Sequence, residues 1–174
     1  VDQGLLRRDP AGGMHLVADY VDLQAVLAEV IDGARETLAT TGSRSRDPGY
    51  LTRIEQVLAG HPGMVHYRVM YGPPRTSMLR DHLIRLLELP DGQDRVRIGI
   101  FDDLYRDPER FLCVSEQAAV VVLPSLTSTS NFDSGLVIND PDVAARYLAH
   151  IRQAYLGSQH LTTPGALEAL EVLR

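Results

Sequence analysis

The chain has 174 residues, a length that suits one domain with a substantial core. Apolar residues make up 44% of it, and no apolar run approaches the roughly 20 residues that a membrane helix needs, so the sequence predicts a globular domain without a membrane partner. The formal net charge of -6 argues against direct contact with nucleic acid, because binding to phosphates requires clustered cations.

Composition also limits the chemistry that the chain can carry. Every basic residue is arginine, so an anion site would use guanidinium groups, hydroxyls or backbone amides. Cys113 is the one cysteine; it lies within a predicted strand, and we expect a buried structural residue. The six histidines show no pairing with cysteine or carboxylates at metal-ligand spacing, and we expect no metal and no other cofactor.

Residues 1–8 lack a basic region followed by an apolar block, which predicts a cytoplasmic protein.

The segment from Gly4 to Val17 is predicted to form a β-hairpin. Two short apolar-flanked stretches surround Asp9-Pro10-Ala11-Gly12-Gly13, a sequence rich in turn formers. The segment also resembles the end of a winged helix-turn-helix domain, in which a wing bearing paired arginines follows the recognition helix. Residues 1–19 are therefore either a remnant of a DNA-binding domain or an ordinary hairpin packed on the domain formed by residues 20–174.

The clearest helix in the sequence runs from Asp22 to Leu38. Its apolar residues recur at the spacing that places them on one face of an α-helix, while its charged residues fall mostly elsewhere. The residues of this apolar stripe are Leu23, Val26, Leu27, Val30, Ile31, Ala34 and Leu38. The stripe indicates either a core-facing helix or a dimer seam.

A predicted strand and a predicted helix flank the loop Gly42-Ser43-Arg44-Ser45-Arg46. The strand is Thr37 to Thr41, and Asp47 followed by Pro48 predicts a helix start with an N-cap side chain. The loop places hydroxyls, guanidiniums and backbone N–H groups near a helix N-terminus, where anions bind well. It lacks the spaced glycines and the lysine of a nucleotide-binding loop. We expect its serines and arginines to contact an anion or ligand; the alternative is a solvated turn whose arginines pair with surface acids.

Two further predicted strands end in polar sequences. Val65 to Tyr71 alternates between two faces and is followed by Gly72-Pro73-Pro74-Arg75-Thr76-Ser77 and a helix. On that helix His82 lies near the inward face, which indicates a core or boundary histidine rather than a ligand. Arg95 to Phe101 is followed by Asp102-Asp103, a carboxylate pair that suits acid–base chemistry or metal binding but more often caps a turn.

The stretch from Phe111 to Asn131 contains the predicted centre of the sheet. Ala118 to Leu123 is an apolar run rich in β-branched residues, typical of a strand buried on both faces. Phe111 to Ser115 is a second strand, and the two are predicted to form a hairpin that turns at Glu116-Gln117, although neither residue readily takes the positive φ that such turns prefer. Pro124 ends the run, and a polar loop at the exit of a core strand is a natural ligand site. That loop includes Ser125, Thr127, Ser128 and Asn131.

The order of the elements predicts an α/β fold. Gly135 to Ile138 is a short strand, and helices are predicted to start after Asp140 and after Thr163, each followed by proline. This alternation indicates a mainly parallel sheet with one antiparallel hairpin and helices on both faces. In such sheets ligands bind beyond the carboxyl ends of the strands, so the polar strand exits are expected to converge at one edge. The expected ligand-binding residues are Ser43, Arg44, Ser45, Arg46, Arg75, Asp102, Ser125, Thr127, Ser128 and Asn131.

From Tyr20 to Gly157 the order of elements resembles one phospholipase D-like domain. The segment FLCVSEQAAVVVLPSLTSTSN resembles that superfamily's hairpin around its catalytic His-x-Lys and downstream Asp, followed by a Gly-Ser-x-Asn-like loop. Where the nucleophilic His and the phosphate-binding Lys would precede Phe111 to Ser115, this chain has Asp107-Pro108-Glu109-Arg110, and only Glu116 stands near the Asp. The family's phosphohistidine intermediate requires an imidazole, so the resemblance implies a degenerate, non-catalytic copy.

With its wing-like start, the chain resembles bacterial transcription regulators in which a helix-turn-helix precedes a phospholipase D-like sensor domain, as in the TrmB-like family and similar actinobacterial regulators. The segments GSRSRDPGYL, HYRVMYGPP and DHLIRLLEL carry that resemblance. It implies a homodimer that senses a small polar or anionic effector, with DNA contacted through a helix-turn-helix domain mostly outside this chain. The alternative is a phosphodiesterase-like or other hydrolase with an atypical active site that uses Asp102, Asp103 or His82. A third interpretation is a module that only dimerises.

Overall fold

Eight strands and six helices follow one another in the computed structural model, which describes residues 13–45, 47–102, 111–125 and 132–172. The strands are β1 (Met14–Val17), β2 (Thr37–Thr41), β3 (Val65–Tyr71), β4 (Val96–Phe101), β5 (Phe111–Ser115), β6 (Ala119–Pro124), β7 (Phe132–Ile138) and β8 (Gln159–Leu161). The helices are α1 (Tyr20–Gly33), α2 (Pro48–Gly60), α3 (Ser77–Leu87), α4 (Gly92–Arg95), α5 (Pro141–Leu156) and α6 (Pro164–Glu168).

The strands form one mixed sheet in the order β1-β7-β6-β5-β2-β3-β4-β8. β2 and β3 pair in parallel, as do β3 and β4, whereas all other neighbouring strands of the described chain pair antiparallel. The prediction of a mainly parallel sheet is therefore wrong. The physical reason is that only three residues join β5 to β6 and seven join β6 to β7, whereas parallel pairing requires a crossover connection of about a dozen residues or more. A continuous apolar run indicates burial on both faces but not strand direction.

Helices cover both faces of the sheet, as the sequence predicted. α1, α2, α3 and α6 pack on one face around a large cluster that includes Ile31, Ile54 and Leu83. α5 packs on the opposite face, where Leu148 and Ile151 meet apolar residues of the sheet. The two clusters explain why central strands such as β5 are apolar on both sides. No helix in this described part of the chain combines the length and apolar content needed to cross a membrane.

Side-chain caps start the helices at the places that the sequence marked. The Asp47 carboxylate accepts a hydrogen bond from the Gly49 N–H at 2.9 Å, and Pro48 occupies the first turn of α2. The Asp140 carboxylate caps α5 in the same way, because it accepts hydrogen bonds from the N–H groups of residues 142 and 143 at 2.9 and 3.3 Å. Both Asp-Pro predictions are confirmed, because the proline fixes a helical φ while the aspartate satisfies an exposed donor.

The β5–β6 hairpin forms without an Asn-Gly turn. Neither Glu116 nor Gln117 adopts a positive φ. Instead the Ser115 hydroxyl accepts hydrogen bonds from the N–H groups of residues 117 and 118, at 3.2 and 3.3 Å. The Glu116 carboxylate in turn accepts from the N–H groups of Arg35 at 2.7 Å and Thr37 at 3.2 Å, which attaches the hairpin to the start of β2. The predicted hairpin is confirmed, and side chains supply its stabilisation.

The ends of several elements differ from the prediction. α1 ends at Gly33, and Leu38 at the end of the predicted stripe lies in β2, where it is buried all the same. The buried residues of α1 face the sheet, so the stripe is core rather than a dimer seam. β8 was not predicted; it pairs with β4 at one sheet edge. At the other edge β1 pairs with β7, and the predicted hairpin and wing lie largely outside the described residues.

Candidate functional site

The ends of several strands meet at one edge of the sheet. β2, β3 and β4 are parallel, β5 is antiparallel to β2, and β6 is antiparallel to β5. β6 therefore runs in the same direction as β2, although the two are not neighbours. The loops that follow β2, β3, β4 and β6 consequently start at the same edge, together with the first residues of β5 and β7. This is the convergence that the sequence suggested, produced by a mixed sheet instead of a parallel one.

A buried guanidinium holds the loop that follows β2. Arg68 on β3 is 0% exposed, and its Nε and Nη2 donate hydrogen bonds to the carbonyl oxygen of Gly42 at 3.0 and 2.6 Å. Nη2 also donates to the Ser45 hydroxyl at 2.9 Å, and Nη1 donates to Thr40 Oγ1 at 3.3 Å. Gly42 has a φ of 115°, a conformation that favours glycine. Arg68 thus fixes the backbone on both sides of residues 43 and 44.

The loop after β3 supports the loop after β2. The N–H of Arg75 donates to the carbonyl oxygen of Ser43 at 2.9 Å. The Thr76 hydroxyl, which also caps α3, contacts the carbonyl oxygen of Ser45 at 3.4 Å. Ser43 and Ser45 are both buried. The first loop is therefore a packed part of the structure between two strand ends and not a solvated turn.

A cavity of about 540 Å³ lies between α1, the start of α2 and the ends of β5, β6 and β7. Its apolar lining comes from Leu23, Leu27, Pro48, Tyr50, Phe111, Val122 and Phe132. Its polar lining comes from Tyr20, Gln24, Arg44, Ser45, Asp47, Ser125 and Asp133. The volume falls in the range of about 300–1,000 Å³ that is typical of small-molecule sites, and so does the combination of an apolar surface with a few polar groups.

Three aromatic side chains form one side of the cavity, and we call them the aromatic cluster: Tyr50, Phe111 and Phe132. The ring centroids of Tyr50 and Phe111 are 5.6 Å apart, and those of Phe111 and Phe132 are 5.7 Å apart. Burial raises the pKa of Tyr50, a member of the cluster, well above its ordinary value, and it raises the pKa of the neighbouring Cys113 to about 12. Both groups are therefore neutral at physiological pH, and this side of the cavity carries no charge.

Carboxylates outnumber guanidiniums among the described residues that line the cavity. Asp47 and Asp133 stand against one arginine, Arg44. Asp47 is occupied by its capping bond to Gly49 and by a hydrogen bond from the Gln24 amide. Within the described residues no hydrogen bond or ion pair joins Asp133 to another side chain. The polar part of the cavity therefore offers acceptors as well as the donors that the sequence indicated.

Comparison with known proteins identifies the architecture. No family model matches the sequence, and no curated protein matches it. Nuc, a phospholipase D family member from Salmonella typhimurium, matches with a TM-score of 0.62 and 11% identity over 87% of this chain and 100% of that one. NucT from Helicobacter pylori matches with a TM-score of 0.65 and 10% identity over 86% and 99%. The chain has the phospholipase D-like fold.

A third similar structure is that of a DNA-binding protein. TrmBL2, an archaeal chromatin protein that binds DNA, matches with a TM-score of 0.59 and 11% identity over 87% of this chain and 55% of that one. At these identities the likeness shows the fold alone. It confirms the predicted phospholipase D-like fold, and it says nothing by itself about the activity of this chain.

The residues that were compared with the catalytic hairpin of phospholipase D-like proteins lie in different parts of the structure. Phe111, the first residue of the hairpin, contributes its ring to the cavity, whereas Glu116 lies at the opposite edge of the sheet beside Arg35. Asp107-Pro108-Glu109-Arg110 lies outside the described residues. Among the described lining residues there is no His, Cys or Lys, the groups that most readily act as nucleophile or base beside a phosphate.

The structure brings together three of the predicted ligand-binding residues. Arg44, Ser45 and Ser125 line the cavity. Ser43 is buried within the same loop as Arg44 and Ser45, Arg75 lies in the loop after β3, and neither Ser43 nor Arg75 lines the cavity. Asp102 is exposed at the end of β4 and does not line it either. The remaining predicted residues lie outside the described ranges: Arg46, Thr127, Ser128 and Asn131.

Sequence reasoning missed most of the lining. The lining residues that were not anticipated as site residues are Tyr20, Leu23, Gln24, Leu27, Asp47, Pro48, Tyr50, Phe111, Val122, Phe132 and Asp133. Asp47 was recognised only as a helix cap. The available signal was the placement of Phe111 and Phe132 at the strand ends that flank polar loops, since an aromatic residue there packs against whatever the loops surround.

The two described residues of the acid–base alternative, His82 and Asp102, lie in different surroundings. His82 is fully buried, with Nδ1 2.7 Å from Glu55 Oε1, and Arg85 Nη2 donates to the same oxygen at 3.0 Å. Burial lowers the pKa of His82 despite the nearby carboxylate, so the imidazole is held neutral. Asp102 is exposed directly after β4, and Asp103 lies outside the described residues. In those residues no three His, Cys, Asp or Glu side chains are grouped to hold a metal ion.

Proposed function

We propose that the chain is the effector-sensing and dimerisation domain of a bacterial transcriptional regulator and that it does not catalyse a reaction. The observation that carries the proposal is the cavity at the converging strand ends. Its described lining combines a neutral aromatic cluster with hydrogen-bonding groups, and it lacks a paired nucleophile and base. A small effector fits such a surface better than a phosphodiester that must be activated for attack.

The proposed connection to DNA is indirect. The net charge of -6 is unsuited to gripping phosphates, so we assign DNA contact to a helix-turn-helix domain outside the described residues. Support comes from TrmBL2, a DNA-binding protein whose structure is similar to this chain. This support is an analogy at the level of the fold.

The proposed dimer contact uses the sheet face that α5 leaves open. Met14 and Leu16 on β1 face the same side as their partners Ile138 and Leu136 on β7, which belong to the cluster under α5. α5 itself lies over the centre of the sheet, and Met14 and Leu16 are 66% and 46% exposed. Apolar side chains that extend a core beyond its covering helix are suited to self-association.

A ligand screen tests the sensor function. We would measure the melting temperature of the purified chain with sugars, nucleotides, phosphosugars and inorganic anions, and repeat each positive with Arg44→Ala. Ligand that binds only the folded state raises the melting temperature, and loss of the shift in Arg44→Ala places the ligand in the cavity. Arg146→Ala, which removes an exposed arginine of α5, is the control. Turnover of bis(p-nitrophenyl) phosphate by the same sample would establish the hydrolase alternative instead.

A further inference from the structure

We propose that the effector of this cavity is a lipophilic amine: a compound whose ring-bearing apolar body packs against Phe111 and Phe132 and whose protonated amino group pairs with Asp133. This inference rests on the proposed function, that the cavity holds an effector, and it names the chemical class of that effector. It departs from the anionic ligand that the arginines of the sequence suggested.

The apolar body follows from the surface that the cavity offers. Phe111 and Phe132 are only half-buried, and their rings contact each other while lining the cavity. Leu23, Leu27 and Val122 continue this surface on α1 and β6. Sugar hydroxyls placed against this apolar part of the cavity would lose hydrogen bonds to water without gaining partners there, which costs free energy for each hydroxyl. An aromatic or alicyclic ring loses nothing in the exchange and gains the burial of its own apolar surface.

The charge of the ligand follows from the carboxylates. The N-terminus of α2 is the position where an anion would bind best, and the carboxylate of Asp47 already occupies it through its bond to the Gly49 N–H. Asp133 adds a second negative charge, and among the described lining residues Arg44 supplies the one guanidinium. A phosphate would meet two like charges in this cavity. A protonated amine gains a partner in Asp133 and a favourable electrostatic contact with the faces of the aromatic rings.

The size of the cavity sets the size of the ligand. A volume of about 540 Å³ accommodates a compound with one or two fused rings and a short amine-bearing chain. The naphthyl ring is a suitable probe because the chain contains no tryptophan, so its fluorescence can be excited on the long-wavelength side of the absorption of the seven tyrosines. Three matched probes separate the contributions: 1-naphthylmethylamine carries ring and cation, 1-naphthylacetate carries ring and anion, and methylamine carries the cation alone.

The experiment titrates the purified full chain with these probes and with glucose 6-phosphate. We expect 1-naphthylmethylamine to bind more tightly than the other three compounds. Asp133→Asn weakens its binding about tenfold or more, because a charged hydrogen bond is lost. The same substitution leaves naphthylacetate binding unchanged or strengthens it. Phe132→Leu weakens both naphthyl compounds, and Asp94→Asn, at an exposed carboxylate of α4, changes none of them.

Each other outcome overturns the amine proposal in a recognisable way. Tighter binding of naphthylacetate or of glucose 6-phosphate, lost in Arg44→Ala, shows an anion site and leaves the sensor function standing. No saturable binding of any probe to a chain that is folded by circular dichroism rejects the lipophilic amine. Binding that survives both Asp133→Asn and Phe132→Leu places the probe elsewhere. The sensor function itself fails on two separate results: no shift in melting temperature with any ligand class in the screen, or turnover of a phosphodiester.

Discussion

Arg68 and Gly42 are joined by two hydrogen bonds, from Nε and Nη2 of one side chain to a single carbonyl oxygen, at 3.0 and 2.6 Å. The guanidinium is 0% exposed, and it also donates to the Ser45 hydroxyl that lines the cavity. A residue in the middle of the sheet therefore determines the position of a loop at its edge. The cavity depends on this contact as much as on the residues that line it.

Replacement of this arginine should destabilise the fold. Arg68→Met keeps an unbranched side chain of similar length but leaves the Gly42 carbonyl and the Ser45 hydroxyl without their donor. We expect the free energy of unfolding to fall by about 2 kcal/mol or more, because unpaired buried acceptors lose their hydration without compensation. Urea denaturation followed by circular dichroism measures the change. Arg146→Met at an exposed position of α5 is the control, and an equal loss in both variants would show that the contact contributes nothing specific.

Acid should destabilise the chain through His66. Burial lowers the pKa of His66 to about 3, and its Nδ1 lies 2.9 Å from the carbonyl oxygen of Leu38. Since the unfolded state binds a proton near pH 6.5 and the folded state does not, the contribution of His66 is complete above that pH and is lost as the pH falls. His82, whose pKa is also lowered by burial, adds to the same trend.

The measurement compares the slope of stability against pH in two proteins. His66→Asn retains a donor for the Leu38 carbonyl but has no titrating group. From about pH 7 to about pH 5 the free energy of unfolding of the parent should decrease more steeply than that of the variant. The carboxylates contribute equally to the pH dependence of the parent and of the variant, so their contribution cancels in the comparison. Parallel curves for the two proteins would mean that His66 accepts a proton in the folded state.

The turn of the β5–β6 hairpin provides a matched pair of substitutions. Glu116→Ala removes the carboxylate that accepts from the N–H groups of Arg35 and Thr37, and we expect a loss of about 1–2 kcal/mol in the free energy of unfolding. Gln117→Ala changes the next residue, whose exposed side chain takes no part in these bonds, and should have little effect. Thermal and urea unfolding measure both. Similar losses in the two variants would assign the effect to the turn backbone.

Charge on the open sheet face should separate the proposed dimer. Leu16→Asp places a carboxylate where β1 extends the apolar surface beyond α5, and we expect the dimer to dissociate at concentrations where the parent remains associated. Leu156→Asp is the matched control, since Leu156 is also exposed, at 66%, but lies at the end of α5. Light scattering coupled to size-exclusion chromatography reads the mass of each. An unchanged mass for Leu16→Asp would move the dimer contact to another surface.

Local patterns in the sequence predicted the elements well because each pattern records a local physical requirement. β2, β3 and β5 have the bounds that alternation and apolar runs indicated, and the Asp-Pro pairs at 47 and 140 mark true helix starts. The direction of the strands was not predictable in this way. It depends on whether the connections before β5 and before β7 cross over or turn back, and polar loops of either kind have similar composition.

The candidate site was only partly predictable for a related reason. Periodicity showed that Leu23 and Leu27 of α1 face inward, but it did not show that the inward direction leads to a cavity at this end of the helix. Arg44, Ser45 and Ser125 were found because they follow strands. Phe132 and Asp133 were missed because β7 begins three residues before the predicted strand at Gly135, which hid an aromatic and a carboxylate within what had been assigned to a loop.

The reactivity of the single cysteine can be used to measure how often the folded sheet opens. Cys113 is 0% exposed in the central strand β5, directly behind the aromatic cluster, and its thiol is protonated at ordinary pH. A disulfide reagent such as dithiobis(nitrobenzoate) can react with it only after the sheet separates, so the rate of labelling follows the population of opened molecules. Occupancy of the cavity would slow that reaction in proportion to the affinity of the occupant. Ligand binding can therefore be measured from the rate of thiol labelling, in an absorbance assay that needs no engineered label.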